Sequence, residues 1–431
     1  MRVVVWGTGV TGLETARVMR ARGHEVILVD ESPPPRDVGM EVRPPTERDM
    51  AEADLVIPSP GVPRHHPLLA AAKRVLSEIE VASSMLRGTI VGVTGTNGKT
   101  TTTTLVHMIL EAMGYDAGIG GNISPPLISL VDRDPDYLAV EISSFQLEWI
   151  ENFRPKIAVC LNITPDHLDR YRSMEEYVHY KLRIFENQTA DDIAVISGDD
   201  PYLKGLHLRP KTAVFSTLGA PEGDGAYVDG GRIVFTGSIA GGGPRVPPAE
   251  AVGSGVIEDM LAASIAGRYL GVDVDVMERV FMGFKVIHHR YERVDTIGGV
   301  TFVDDSKATN VGALDKALST LGTPVTLILG GKDKGGDFSD IALRYRPLIR
   351  MAVVMGEAAD RISREMGGIV PCVRARDMEE AVRLAYEASR PGDTVLLSPG
   401  CASFDMFNSY AHRGEVFREC VRGIRLHTSS R

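Results

Sequence analysis

Cysteine is scarce in this chain: Cys160, Cys372, Cys401 and Cys420 are all there is in 431 residues, and no two form a C-x-x-C pair. They read as free thiols of a reducing compartment, not as a disulfide framework. Long apolar runs are absent as well. None approaches the ~18 residues of a membrane-spanning helix, so no membrane association is expected. The N-terminus enters a strand at once, at Arg2-Val3-Val4-Val5, with no charged and apolar leader before it, which argues against a signal peptide. A cytoplasmic location is therefore expected. Positive charge is also in deficit: Lys+Arg number 47 against 57 Asp+Glu, a net charge of −10. Nucleic-acid binding needs basic patches, so no nucleic-acid partner is expected, although a local basic pocket for a nucleotide stays possible. What remains is ordinary for globular proteins, with 43% hydrophobic and 24% charged residues. The length allows two to four domains.

Short β-rich runs alternate with helical stretches three times over. Residues 1–88 hold strands at 3–6, 25–30 and 54–57, a helix at 11–22, and a Ser59-Pro60-Gly61 turn. A second unit opens with a strand at 89–94, a Gly-rich turn and a helix from Thr100 to about Met113. Strands follow at 137–141, 157–162 and 193–197. Residues 220–248, rich in Gly and Pro, read as hairpins and loops around a strand at 232–235. A helix covers 259–269. A boundary falls near His289-Arg290, and strands at 301–303, 325–329, 351–355, 370–373 and 394–397 form the third unit. The expected fold class is thus α/β in three domains, 1–88, 89–291 and 292–431. Each is a mainly parallel sheet with helices, Rossmann-like at both ends with a P-loop domain between. No internal repeat or low-complexity tract is present.

The strongest motif is Gly95-Thr96-Asn97-Gly98-Lys99-Thr100-Thr101, set between a strand and a helix. Glycines let successive backbone N–H groups face one point, where the helix N-terminus adds positive potential. Lys99 can reach the β/γ-phosphates of a nucleotide, and Thr100 can place a hydroxyl on Mg²⁺. The loop is a variant, with Val93 where the usual pattern has its first glycine. A second motif, Gly7-x-Gly9-x-x-Gly12, follows the first strand, with Asp30 ending the next one. This is the dinucleotide pattern, with an acid placed for a ribose. Alone it suggests an NAD-dependent dehydrogenase. In a chain with an ATP loop it holds the diphosphate of another nucleotide, UDP being favoured.

Several stretches together resemble the Mur ligases: Gly95–Thr101, Glu141–Glu148, Asn162–Arg170, Lys181–Asn187, Asp305–Asn310 and Leu397–Ser403. The likeness is greatest to the glutamate-adding branch, spans nearly the whole chain and is weakest at about 200–255. It implies three α/β domains, for a UDP-linked precursor, ATP and the incoming amino acid. ATP would phosphorylate the precursor's carboxylate, and the amino acid's amine would then attack the acyl phosphate. It further implies two Mg²⁺ ions, with Thr100 and Glu141 as ligands of the first and Glu141 and His167 of the second. Lys181 resembles a carbamylated lysine that orients the metal. Lys99, Glu141, His167 and Lys181 are thus the expected catalytic group. Gly9, Val10, Thr11, Asp30, Ser59, Gly61, Asn122, Ser143 and Gln146 are the implied precursor contacts. Asp259, Arg290, Asp305 and Lys307 join the loop 95–101 on ATP. Thr309, Lys334, Ser403 and Tyr410 resemble the amino-acid contacts, and Lys334 there suits an acidic side chain. The resemblance implies small-molecule substrates and a monomer.

The chain departs from the family at two places. A His-Asn-x-x-Asn run before an alanine-rich helix is replaced by Gly255-Val-Ile-Glu-Asp259, with Asp259 at the last asparagine's place. Glu31-Ser32 stands where many relatives have Thr-Arg. Both departures would also suit a divergent, archaeal pseudomurein-type ligase with another precursor and amino acid.

Overall fold

The computed structural model describes residues 1–32, 38–168 and 170–428. Asp169, inside one of the stretches that carry the resemblance, lies outside them. The chain forms two compact units. One comprises Met1–Ile163, Ser173–Val246 and Glu258–Met282, and the other Thr164–Arg172, Pro247–Ile257 and Gly283–Arg431.

The first unit contains two sheets. The run Val3-Val4-Val5 is buried along its whole length, as the middle of a parallel sheet requires. Its strand, Arg2–Trp6, pairs in parallel with Glu25–Val29 and with Leu55–Pro58, and Val42–Arg43 adds an outer edge. The helix Val10–Ala21 returns across this sheet.

The second sheet has nine strands. From one edge they run Gly241–Arg245, Arg232–Thr236, Gly225–Asp229, Lys211–Ser216, Ile193–Ser197, Ile157–Cys160, Thr89–Thr94, Tyr137–Glu141 and Ala117–Gly121. Pairings from Gly225–Asp229 to Ala117–Gly121 are all parallel, and the two remaining strands add antiparallel. Turns at the carboxyl ends of parallel strands are where such sheets bind ligands. Gly95, Asn122 and Ser143 all follow that end of their strands.

A short helix, Glu78–Ser83, leads from the first sheet to the second. Its Glu78 is almost wholly buried. One oxygen accepts from the Ile128 amide at 2.5 Å, and the other has no hydrogen-bond partner among the described residues. Burial pushes this carboxyl up to about 7. A folded-state pKa above the unfolded one means that the contribution is complete below about pH 4.5 and is lost as pH rises through about 7. Glu78→Gln should therefore melt close to the wild type at pH 5 and clearly higher at pH 8. The gap should approach about 3 kcal/mol, the scale that linkage gives for such a shift. Parallel melting curves across that range would show that Glu78 does not carry this proton.

The second unit is built on a six-stranded sheet, ordered Glu292–Ile297, Val300–Asp304, Thr394–Leu397, Val325–Gly330, Ile349–Met355 and Cys372–Arg374. All pairings are parallel except the first, which is a hairpin. The alternation of side chains fills both faces. Val303, Leu327 and Leu329 pack on one side, Phe302, Ile328 and Val353 on the other.

Candidate active site

The strand Thr89–Thr94 ends in the loop, and the helix Lys99–Ala112 begins immediately after it. Gly98 has φ +85, and a Cβ there would lie 2.2 Å from Asp259 Oδ1, so only glycine fits. The Lys99 ammonium donates to the carbonyls of Gly95 at 2.8 Å and Thr96 at 2.9 Å, closing the loop on itself. Asp259 accepts from the Thr102 hydroxyl at 3.0 Å. Its carboxylate thus braces the first turn of the phosphate-loop helix.

Lys181 lies in the last turn of the helix Met174–Leu182, which Ser173 caps. Its side chain is only 2% exposed. Its amine also donates to Gly95 O, at 2.8 Å, and stands 4.7 Å from the centre of the Tyr177 ring. Two lysine amines therefore converge on one carbonyl oxygen. If both carry charge they repel, and an anion between them would relieve this. Cys160 shares the neighbourhood, but burial pushes its thiol up to about 12, which makes it inert.

Glu141 ends the strand Tyr137–Glu141 and is buried. Asn122 donates to Glu141 Oε1 at 2.7 Å, while Oε2 has no hydrogen-bond partner among the described residues. A buried carboxylate oxygen without a donor is costly unless a cation meets it. The donor set therefore fits a hard divalent ion such as Mg²⁺. Ser143 and Gln146 stand just beyond and cap each other in a capping box, Gln146 N to Ser143 Oγ at 3.3 Å and Ser143 N to Gln146 Oε1 at 3.0 Å.

At the first sheet, Gly9 is the N-cap of Val10–Ala21 and no side chain caps that end. Its amides therefore present a helix N-terminus to an anion. Val10 is exposed. Asp30 accepts from the Thr8 amide and hydroxyl, both at 2.7 Å. Burial would raise its pKa, but these bonds and one from the Ser32 amide hold it below the usual range. Ser59 Oγ is buried with no hydrogen-bond partner among the described residues, and a Cβ on Gly7 would lie 2.2 Å from it. A hydroxyl in that state needs an acceptor such as a phosphate oxygen. Gly61, two residues on, is exposed.

The remaining candidates lie in the second unit. Asp305 accepts from the Tyr291 amide at 3.1 Å and the Ser398 hydroxyl at 2.9 Å, and burial pushes it up to about 7. Lys307 stands 3.9 Å over the Tyr410 ring, which joins an expected ATP contact to an expected amino-acid contact. Lys334 pairs with Asp166 at 2.9 Å, and Asn310 donates to the other Asp166 oxygen at 3.2 Å. His167 follows with φ +57, its amide bonded to Asp166 Oδ1. Thr309 is half-buried, Ser403 is buried, and Arg290 precedes Tyr291, itself at φ +50.

Two residues escaped the sequence reading. Asp166, inside the stretch Asn162–Arg170, carries no mark in the sequence that tells of its pairing with Lys334. Arg413 is buried, and its guanidinium donates to the Ser306 hydroxyl and carbonyl and to the carbonyls of Cys401 and Ala402. It thus ties together the loops that carry Asp305, Lys307 and Ser403. Nothing in Tyr410-Ala-His-Arg413 distinguishes it from a solvated helix arginine.

A phosphate loop closed by its own lysine, with a second buried lysine on the same carbonyl, is a site suited to a nucleotide phosphate. Comparison with known proteins is narrower. Residues 93–232 match the Mur ligase middle domain, and 289–401 match the Mur ligase, glutamate ligase domain. This chain belongs to the Mur ligase family. It is 43% identical to the UDP-N-acetylmuramoylalanine–D-glutamate ligase of Geobacter metallireducens, over 98% of this chain and 97% of that one. In fold it matches a pseudomurein peptide ligase type C from Methanothermus fervidus, with a TM-score of 0.65, 19% identity and coverage of 98% and 99%. It also matches a MurF ligase from Thermotoga maritima in complex with ADP, at 0.61, 18%, 98% and 95%. At these identities the two structures speak to fold alone. Family membership displaces the dehydrogenase reading of Gly7–Asp30.

Proposed function

We propose that this enzyme cleaves ATP to ADP and joins D-glutamate to the free carboxylate of UDP-N-acetylmuramoylalanine, through an acyl phosphate. The observation that carries the reading is the convergence of Lys99 and Lys181 on Gly95 O, in a chain so close over its whole length to a relative of that name. The first sheet, 1–88, takes the UDP end of the precursor through Gly9, Val10, Thr11, Asp30, Ser59 and Gly61. The central region, 89–291, takes ATP on residues 95–101. Residues 292–431 take the amino acid through Thr309, Lys334, Ser403 and Tyr410. Asn122, Ser143 and Gln146 face the precursor's acid end, and Arg290, Asp305 and Lys307 complete the proposed set of ATP contacts. Asp259 serves the ATP site by fixing the helix behind the loop.

Thr100, Glu141, His167 and a carbamate on Lys181 are the groups that would hold two Mg²⁺ ions. When bound, such ions neutralise charge on phosphoryl and carboxyl oxygens. Lys99 stabilises the transferring phosphoryl group, and the buried site excludes water from the acyl phosphate. The enzyme acts as a cytoplasmic monomer, with no nucleic-acid or membrane partner. No described helix is long and apolar enough to cross a membrane.

A product assay with a panel of amino acids tests the reading. ADP and phosphate should appear only with Mg²⁺, the muramoylalanine precursor and glutamate together. Glutamine should be poorer by roughly 30- to 150-fold, the value of one desolvated carboxylate–ammonium pair. Lys334→Ala should raise the KM for glutamate by a similar factor and leave that for ATP nearly unchanged. AMP and pyrophosphate as products, or a preference for alanine or a diamino acid, would overturn the assignment.

A further inference from the structure

Arg64 lies in the turn that leaves Leu55–Pro58, three residues after Gly61. Its guanidinium carbon stands 4.5 Å from the centre of the Trp149 ring and 5.2 Å from that of Tyr180. One nitrogen, Nη1, donates to the Glu148 carbonyl at 2.6 Å. No other hydrogen bond or ion pair joins this side chain to a described residue, and it is half-buried. Its other guanidinium donors are therefore uncommitted among the described residues.

Arg183 makes an instructive contrast on the same loop. Its guanidinium donates to the carbonyls of Leu147, Glu148 and Ile150 and to the Glu186 carboxylate. Glu80 holds the next amides of that loop, those of Glu151, Asn152 and Phe153. The segment that carries Trp149 is thus already fixed without Arg64. A second clasp has little left to do there, and an arginine used as a clasp would spend its donors as Arg183 does. Arg64 is instead held in orientation by two rings and one carbonyl, which costs it a single donor. Aromatic stacking leaves the edge of a guanidinium available for bidentate bonds to an oxyanion.

We propose that Arg64 is a contact for an anionic group of the UDP-linked precursor. The inference rests on the proposed function, which sets that ligand between two places that flank Arg64. One is the Ser59–Gly61 turn just before it, and the other is Lys181, next in sequence to the Tyr180 ring that Arg64 touches. Two groups of the precursor share the required chemistry, its diphosphate and its free carboxylate. Each offers paired oxygens to a planar donor edge.

Calorimetric titration of the full-length protein with the muramoylalanine precursor and with UDP alone tests the proposal. Arg64→Ala and the bulkier Arg64→Gln should each weaken precursor binding by roughly 10- to 100-fold, the value of hydrogen bonds to a charged group. Arg64→Lys should recover only part of the loss, because an ammonium lacks the planar fork. Raising the salt concentration should weaken wild-type binding more than that of Arg64→Gln, a response that a packing role would not produce. An equal loss for UDP places the contact at the diphosphate, and a loss for the precursor alone places it at the carboxylate. Either supports the proposal. Variants that melt like the wild type and bind both ligands as tightly would overturn it while leaving the proposed function standing. A wild type that binds neither ligand would sink both.

Discussion

Lys99→Ala should lower the rate of ADP formation by about 10³-fold or more, the scale on which an unpaired transition-state charge is felt. In the structure its ammonium donates to Gly95 and Thr96 carbonyls, partners that any loop of this shape could satisfy with water. The native fold should survive the change, because Lys99 is half-buried and the loop's shape is set by Gly95 and Gly98 at positive φ. What is lost is the only charged donor that the loop itself supplies to a β/γ-phosphate. Precursor binding should be retained, since the groups proposed for it lie on other strands. A variant with an unchanged melting temperature and a loss below ten-fold would mean that the phosphate is activated elsewhere, and Arg290 would become the leading candidate.

The loop was legible in the sequence because its geometry is local: a strand, glycines, a lysine and a helix start in consecutive residues. The parallel strands announced themselves for a similar reason, as short runs such as Val3-Val4-Val5 and Ile193-Ala-Val-Ile196 that are apolar on both faces. Strands without that mark stayed hidden. Ala117-Gly-Ile-Gly-Gly121 is an edge strand whose glycines break up any apolar run. They are there because the backbone packs closely, a Cβ on Gly121 falling 2.2 Å from Glu141 O. Gly225–Asp229 and Gly241–Arg245, inside the Gly- and Pro-rich stretch, pair antiparallel with Arg232–Thr236 on either side, as the hairpins expected around that strand. The strand Glu292–Ile297, polar and antiparallel at the sheet edge, was missed for lack of apolar residues. The expected strand at 370–373 falls two residues later, at Cys372–Arg374, because Val370 is buried against the helix layer before the strand begins.

Long-range contacts were not legible by pattern at all. Lys181 in Tyr-Lys-Leu-Arg reads as a surface helix lysine, and only the family resemblance marked it. Its burial against Gly95, 86 positions away, is a property of the assembled sheet. The same holds for Asn122 on Glu141, for Asp166 on Lys334 and for Arg413 beneath the backbone carbonyls it holds. In each case a polar side chain that looks solvated satisfies a group that the fold has buried, and burial is what the linear sequence does not display.

Lys181→Ala should abolish nearly all turnover, about 10³-fold on the scale of a lost electrostatic group, and millimolar acetate or formate should restore part of it. The expectation follows from the charge at Gly95. Two lysine amines share one carbonyl oxygen, and like charges so placed repel. A neutral amine can add CO₂ to give a carbamate, with release of one proton, and the product is an anion where a cation stood. That anion would face Lys99 in place of a like charge and would give a divalent ion a hard oxygen ligand beside Glu141. A small carboxylate diffusing into the space left by the alanine variant presents the same two oxygens, which is why rescue is expected from it and not from chloride. Lys181→Arg makes the complementary case: it keeps the positive charge, cannot be carbamylated, and should be as inactive as the alanine variant and refractory to acetate. If the alanine variant turns over at the wild-type rate, or if a high-resolution map of the enzyme loaded with nucleotide and Mg²⁺ shows a bare amine at Lys181, the carbamate is excluded. Lys181 would then be a buried structural cation that fixes the Gly95 carbonyl.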